Sequence, residues 1–254
     1  MKFLTKKRLA AVGGLLFVGG GASLSQSTLA SPLPLATATA SVAISLPLLN
    51  DYQVPFASRD RLGRINDLLP YAKPIEREYL GLNQMLRLPD GTIFIDADLD
   101  TDADGSPRAE EIDPDAGQLM TAFNFPGEEG QRLYVDAEKV PYIVLPLDLY
   151  KELGVKLGDV AAVIWNGRLV YAVFADTGPV ELIGEGSIAL SEGLGFDPWE
   201  ERDGRRQIVN GIEDHVLMLV FPNSANRDIT PENINQKTIE CAKPLFQALG
   251  GNDN

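Results

Sequence analysis

The chain has 254 residues, of which 22 are basic and 36 acidic, so its formal net charge is −14 at neutral pH. Such a charge repels nucleic acid and anionic lipid and attracts polycations. The only cysteine, Cys241, excludes an internal disulfide, and with the only histidine, His215, it provides too few ligands for a His/Cys zinc site. His215 borders an apolar run, as packed histidines do, and no nucleophile elbow supports a Ser-His-Asp triad. Any hydrolytic chemistry must therefore depend on carboxylates.

Residues 1–30 have the features of a secretory signal peptide. Four basic residues within the first eight positions precede an apolar stretch, and small residues lead up to Ala30. A membrane anchor is the alternative, although the apolar stretch falls short of the ~20 residues that a spanning helix needs. Without these four cations, 18 basic residues remain against 36 acidic ones, a balance of −18. We expect a secreted protein, extracellular or periplasmic, with a flexible or variable segment over 31–80 and a folded domain over 81–254.

The first predicted elements of the folded domain are short strands. Thr92–Asp96 is typical of a strand, and we expect it to run into an acidic loop. Tyr142–Leu145 is an apolar run between two prolines, which indicates a buried strand with fixed ends. Leu147–Leu153 could form two helical turns that end at Gly154.

A β-hairpin is the clearest prediction. Val160–Trp165 and Arg168–Ala175 are rich in strand-forming residues and are joined by Asn166-Gly167, the pair favoured in a two-residue type I′ turn. The second strand is expected to stop at Asp176, where a turn-forming D-T-G-P segment begins.

Helices accompany the strands in the last third of the chain. Ser187–Leu194 is expected to form a short helix that Ser187 caps, and Val216–Phe221 to form a buried strand. Thr230-Pro231 is a typical helix start, and apolar residues at helical spacing follow it as far as the stop signal Gly250. Strands therefore dominate the middle of the domain.

The acidic run after Asp96 fits a calcium-loop pattern. Asp100, Asp102, Asp104 and Glu111 stand at the carboxylate positions of D-x-D-x-D-G-x5-E, with Gly105 at the turn. Alternate carboxylates can converge there on one hard cation, which would stabilise a secreted domain that lacks disulfides. Two alternatives remain open: the same aspartates could bind the ammonium groups of a cationic substrate, or could be merely solvated.

Two carboxylates are notable for their positions. Asp176 ends a predicted strand at a tight turn, and Glu185 lies between two glycines just before a capped helix. Side chains at strand ends and in glycine-flanked loops can reach a cleft, and flanking glycines let a bulky polymer approach. Glycoside hydrolysis needs such a pair, one acid and one ionised carboxylate. The alternative is that Asp176 caps its turn and Glu185 is a surface loop residue.

The segments Val140–Gly195 and Asp96–Gly105 resemble the core of the family 75 glycoside hydrolases, which are chitosanases. In that family the essential pair is the aspartate after the strand and the glutamate of the G-E-x-S segment. The resemblance maps this pair onto Asp176 and Glu185 and implies an inverting mechanism. It covers most of Thr92–Gly195 and makes residues 81–254 a chitosanase-like catalytic domain.

A second resemblance concerns the fold. The order of strand, Asn-Gly turn, strand, D-x-G-P and acidic residue before S-x-A-x-x-L-G is similar to that of double-psi β-barrels such as expansins and family 45 cellulases. It implies a mainly β fold, a six-stranded double-psi-like β-barrel with accessory helices. In those proteins the later acidic residue tends to be the general acid, so the analogy makes Glu185 the acid and Asp176 the base or water-orienting group.

The resemblance also implies a substrate and its contacts. An endo-acting chitosanase would bind chitosan, a polycationic polysaccharide, and we expect Asp96, Asp98 and Thr177 to contact it. Trp165 and Tyr171 could stack on sugar rings, although core packing is the stronger reading for Tyr171. The chemistry would need no cofactor, with calcium only structural. We expect a monomer that binds neither nucleic acid nor, after signal removal, membrane.

Two hypotheses compete with the chitosanase. One is a non-catalytic or differently specific cell-wall protein of double-psi barrel type that binds peptidoglycan or another glycan. The other is an extracellular adhesion module marked by the calcium loop. Salt separates the first from a chitosanase, because only binding of a polycation weakens as salt rises. Metal dependence without hydrolysis would indicate the second.

Overall fold

The computed structural model describes residues 52–254. The predicted signal peptide, residues 1–30, and the first part of the predicted N-terminal segment, residues 31–51, lie outside the described residues. None of the helices within 52–254 combines the length and the apolar character that a membrane crossing requires.

Twelve strands occur in the described residues, and most of them join one large sheet. They are β1 (Lys73–Pro74), β2 (Leu82–Arg87), β3 (Ile93–Asp102), β4 (Asn124–Pro126), β5 (Arg132–Tyr134), β6 (Tyr142–Pro146), β7 (Val160–Trp165), β8 (Arg168–Gly178), β9 (Glu185–Ser187), β10 (Trp199–Arg202), β11 (Arg205–Ile208) and β12 (Ile212–Phe221). β4 and β5 form a separate hairpin, as do β10 and β11.

Within residues 52–254, the helices are short except for the last one. The α-helices are α1 (Phe56–Leu62), α2 (Ala109–Ile112), α3 (Tyr150–Leu153), α4 (Ile188–Gly193) and α5 (Ile234–Ala248). The described part of the chain also has three 3-10 helices, Gly63–Asp67, Leu69–Tyr71 and Glu128–Gly130.

Six strands of the large sheet close into a barrel. Their order is β3-β12-β7-β8-β6-β9, and β9 pairs back onto β3 in parallel. β6 pairs with β8 in parallel and with β9 antiparallel, so the barrel is mixed. The predicted mainly β barrel with accessory helices is therefore confirmed, whereas its double-psi connectivity stays a prediction. β1 and β2 extend the sheet outward from β3.

The alternation of side chains separates two apolar clusters. In β3 the odd-numbered residues from Ile93 to Leu99 point into the barrel, where they pack with Ile143, Phe174 and Met218. The alternate residues of β6, Tyr142 and Val144, belong to a second cluster on the outside of the barrel. Since successive strand residues face opposite sides, the polar residues of the outer faces can form a site.

The predicted hairpin is confirmed as β7 and β8, joined by Asn166-Gly167 with positive φ at both residues. The expected end of its second strand was wrong, because β8 continues through Asp176 to Gly178. Its continuation is stabilised by pairing with β6, a partner that lies outside the hairpin.

The helical predictions near the C-terminus are confirmed in type. The Ser187 side chain caps α4 by accepting from the Leu190 backbone N–H. α5 begins at Ile234, later than Thr230-Pro231 indicated, and Gly250 follows its end with φ +94°. Its buried face carries Phe246, while neighbouring Leu245 is partly exposed.

Candidate active site

Asp176 and Glu185 lie on either side of one residue, Val144. Asp176 of β8 is the register partner of Val144 in β6, and Glu185 of β9 is its partner from the other side. Directly opposed residues on neighbouring strands face the same side of a sheet. Both carboxyl residues are largely buried, at 8% and 7% exposure. The alternative of a surface-loop Glu185 is therefore wrong, because Glu185 opens strand β9.

A β-bulge directs Asp176 to this outer face. Phe174 is opposite Ile143, but Asp176 is opposite the next residue, Val144, so β8 has one extra residue, Ala175, at this point. In regular alternation Asp176 would point inward with Phe174, which packs in the barrel core. The bulge aligns it instead with Val144 on the outside of the barrel.

The Glu185 carboxylate reaches across to β8 and lies over Gly178. A Cβ added to Gly178 would be 2.4 Å from Glu185 Oε2 and 3.1 Å from a methyl group of Val144. Any side chain at residue 178 would therefore occupy the place of this carboxylate. Gly178 lies two residues beyond Asp176 on the same strand, which corresponds to about 6.6 Å.

The hydrogen bonds of Asp176 distinguish its two oxygens. Oδ1 accepts from the backbone N–H of Ala122 at 2.9 Å and from that of Thr177 at 2.7 Å. Two donors on one oxygen fill its lone pairs. A proton on this carboxyl group is therefore carried by Oδ2.

The electrostatic surroundings favour a protonated Asp176. One carboxylate oxygen from each of Asp102, Asp104 and Asp176 lies within 4.8 Å of the others. Burial raises the pKa of Asp176 to about 7, and repulsion by Asp102 adds to the rise while the two backbone N–H donors oppose it. Three converging carboxylates could also hold a hard cation, and a bound cation would instead favour the ionised form.

The hydroxyl group of Tyr142 contacts two residues of the same carboxylate cluster. Tyr142 is fully buried, and its hydroxyl lies 3.1 Å from Asp102 Oδ2 and 3.0 Å from the carbonyl oxygen of Asp104. Burial, reinforced by the neighbouring carboxylates, raises the pKa of this phenol well above its ordinary value. Tyr142 is therefore a hydrogen-bond donor that positions Asp102.

The predicted acidic loop is largely a strand. β3 extends to Asp102, so Asp100 and Asp102 project from an extended backbone, and Asp104 follows just beyond its end. The prediction was wrong on this point because it ignored the alternation of the aspartates with core residues such as Leu99. Glu111 lies on α2 and is exposed. The structure thus gathers Asp102 and Asp104 with Asp176, and the calcium site stays a prediction.

The other two aspartates predicted to contact substrate are buried on the outer face of β3. Asp96 is fully buried, and its carboxylate lies 3.0 Å from His215 Nδ1 and accepts from Asn83. The Asp98 carboxylate packs in space against two glycines, Gly81 and Gly184. A Cβ at Gly81 would be 2.0 Å from Asp98 Oδ1. Both aspartates share the face of Asp100 and Asp102 but lie nearer the start of the strand.

The two predicted aromatic contacts are distant from the carboxylate pair. Trp165 is the register partner of Arg168, and the eight residues from there to Asp176 span about 26 Å. The Tyr171 hydroxyl donates to Asp253 at 2.7 Å, and its ring packs edge-on against Phe246. The structure does not bring either ring to Asp176, whereas Thr177 adjoins it.

Sequence reasoning missed one segment of the site, residues 118–122. The Gln118 backbone N–H donates to Asp104 Oδ1 at 2.7 Å, and that of Ala122 donates to Asp176. Neither contact has a local sequence signal, because the acceptors lie 14 and 54 residues away along the chain. Tyr142 was predicted only as the start of a strand.

Comparison with known proteins finds one family match. Residues 99–251, more than half of the chain, match a family described as fungal chitosanase of glycosyl hydrolase group 75. The matched range includes Asp176, Glu185 and most of the barrel. A comparison with curated proteins finds no match.

Proposed function

This chain belongs to the family 75 glycoside hydrolases, the chitosanases, and we propose that it cuts β-1,4 bonds within chitosan through Asp176 and Glu185. The observation that carries the proposal is the placement of the two carboxyl groups on either side of Val144. Acid–base glycoside hydrolysis needs two carboxyl groups that face one substrate bond.

The spacing of the pair supports inversion. The Glu185 carboxylate lies over Gly178, which is about 6.6 Å along β8 from Asp176. Inverting enzymes hold their carboxyl groups roughly 6.5–9.5 Å apart to leave room for a water, whereas retaining enzymes hold them about 5–5.5 Å apart. The geometry therefore favours attack by water over a covalent intermediate.

We assign the acid role to Asp176 and the base role to Glu185, the reverse of what the double-psi analogy implied. Asp176 Oδ2 gives its proton to the glycosidic oxygen as the bond to the anomeric carbon breaks. Glu185 removes a proton from a water that attacks the opposite face of that carbon. The raised pKa of Asp176, about 7, supports this order, since an acid must hold its proton at the working pH.

The charge of the chain suits a cationic polymer. The sequence has a net charge of −14, and the aspartates of β3 and its end lie beside the pair. Negative potential concentrates a polycation at the surface and weakens with added salt. We therefore expect the KM for chitosan to rise with ionic strength. A glycan-binding protein without hydrolytic activity is not favoured, because the family is enzymatic.

The test separates the acid from the base. On soluble chitosan, Asp176→Asn and Glu185→Gln should each lower kcat by roughly 10²–10⁴-fold. An aryl glycoside of a glucosamine oligomer, whose phenolate leaves without a proton, should restore cleavage only to Asp176→Asn. Azide, which attacks without a base, should rescue only Glu185→Gln on that substrate.

Glu240→Gln is the matched control, since Glu240 is exposed on α5 and should not affect turnover. Proton NMR of the first product should show the inverted anomer. Wild-type turnover with the retained anomer, or with full activity in either variant, would contradict the mechanism.

Secretion and a monomeric state remain proposals. A mature N-terminus near Ser31 in exported protein, and a single species of monomer mass by light scattering, are the expected results. Cytoplasmic retention of the intact chain or a stable dimer would refute them respectively.

A further inference from the structure

The register of the strands defines a row of residues across the site and two sides of that row. We call Asp100, Glu185, Val144 and Asp176 the carboxylate row, because they are successive register partners across β3, β9, β6 and β8. Along the strands, Asp102 lies on one side of the row and Gly178 on the other. A polymer that passes between the two carboxyl groups must cross this row.

On the Asp102 side, a segment that is hydrogen-bonded to the site at both ends presents apolar side chains. Residues 118–122 are held at one end by Gln118, bonded to Asp104, and at the other by Ala122, bonded to Asp176. Between these anchors, Leu119 and Met120 are 47% and 55% exposed. Their backbone is fixed against the site while their side chains face solvent.

On the Gly178 side, three more apolar side chains are exposed. The Leu147 backbone N–H donates to the Gly178 carbonyl at 3.2 Å, and Val180 follows two residues after that glycine. Leu80 forms a parallel bridge with Leu182 in the segment between β8 and β9. Leu80, Leu147 and Val180 are all more than half exposed.

Exposed apolar side chains that are grouped beside polar residues are typical of contact surfaces, whereas single exposed apolar residues are common on any surface. The C–H faces of pyranose rings are apolar, while the ammonium groups at their edges are cationic. A glucosamine chain matches this combination, because exposed apolar side chains lie on segments that flank the row of carboxylates on both sides.

We propose that the glucosamine chain lies parallel to the barrel strands and crosses the carboxylate row at the bond that is cut. Leu119 and Met120 contact the sugar rings on one side of that bond, and Leu80, Leu147 and Val180 contact those on the other. This inference rests on the proposed function. It assigns binding subsites to both sides of the bond, which is the arrangement that cleavage within a polymer requires.

The experiment maps cleavage of a glucosamine hexamer labelled at its reducing end. Loss of ring contacts on one side should disfavour binding registers that depend on that side. Met120→Ala and Leu147→Ala should therefore shift the ratio of labelled products in opposite directions, each by about threefold or more. Phe56→Ala is the matched control, since Phe56 is 87% exposed on α1 and should leave the ratio unchanged.

The outcomes distinguish this inference from the function on which it rests. Opposite shifts with unchanged melting temperatures support the proposed path. Shifts in the same direction, or an unchanged ratio in variants that still cleave, would overturn it. Lower melting temperatures with an unchanged ratio would mean that these side chains cover another part of the chain, which also overturns it. A wild-type protein that leaves the hexamer intact would refute the proposed function instead.

Discussion

Two buried aspartates in this barrel, Asp159 and Asp176, differ in the hydrogen-bond donors and charges around them. Asp159, just before β7, is fully buried and accepts three backbone N–H groups, from Lys156, Asn223 and Ala225, shared between both carboxylate oxygens. Asp176 is nearly as buried, but both of its backbone donors bind Oδ1, and its carboxyl group lies near Asp102.

The difference shows how one residue type can have two roles. Three donors that are distributed over both oxygens satisfy the buried carboxyl group of Asp159, which thereby ties the Asn223–Ala225 turn to the barrel. Fewer donors and a neighbouring negative charge favour the proton on Asp176 and raise its pKa to about 7. Burial alone therefore does not identify a functional carboxylate; the distribution of donors and charges around it does.

The largest expected effect is on stability at alkaline pH. The Asp176 pKa is raised from 3.8 to about 7 in the folded protein. Between these values the unfolded chain releases the proton while the folded chain keeps it, so stability falls as pH rises and the full loss is present above pH 7. Asp176→Asn removes this loss, and we expect it to raise the free energy of unfolding at pH 8 by up to about 4 kcal/mol.

Urea denaturation at pH 4 and pH 8 measures this effect. The gain in Asp176→Asn should be near zero at pH 4 and largest at pH 8. An equal gain at both pH values, or a loss at pH 8, would contradict a raised pKa at Asp176.

Asp159→Asn should change the free energy of unfolding in the opposite direction to Asp176→Asn. An amide has only one acceptor oxygen, so at least one of the N–H groups of Lys156, Asn223 and Ala225 would lose its partner on the fully buried residue 159. We expect the free energy of unfolding to fall by about 3 kcal/mol, with enzyme turnover near wild type under conditions where the fold persists. An Asp159→Asn variant that is more stable than wild type would contradict the different roles assigned to Asp159 and Asp176.

A smaller effect is expected at Gly178. A Cβ there would meet only Glu185 Oε2 and a Val144 methyl group at close range, and the carboxylate can swing away. Gly178→Ala should therefore fold with a near-normal melting temperature but lower kcat by about 100-fold, because the base is displaced by roughly an ångström. Gly127→Ala, whose new Cβ would come no closer than 3.3 Å to its neighbours, is the control. Normal turnover in Gly178→Ala would exclude Glu185 as the base.

Local signals predicted local structure well. The hairpin was evident because Asn166-Gly167 fixes its turn, and α4 because Ser187 caps it. The two candidate carboxylates were found because turn residues and glycines surround them. Each of these signals acts between residues that are neighbours along the chain.

Contacts distant in sequence could not be predicted in the same way. The bulge at Ala175 exists only because β8 pairs with β6, and the closure of the barrel depends on β9 pairing with β3. Aspartate is depleted in strands, so the acidic composition of β3 argued against a strand over its full length. The alternate residues of β3 nevertheless fill the barrel core. The raised pKa of Asp176 also depends on burial and on Asp102, which only the fold brings near it.

The most direct test of the account is the pH dependence of kcat/KM on soluble glucosamine oligomers, measured for wild type and Asp102→Asn. If Asp176 is the proton donor, the wild-type profile falls on the alkaline side with an apparent pKa near 7. Removing the Asp102 charge should move this limb to lower pH, a shift that titration of the substrate amines cannot produce because both enzymes share the substrate. A limb that is absent up to pH 9, or that stays in place in Asp102→Asn, would show that Asp176 does not supply the proton.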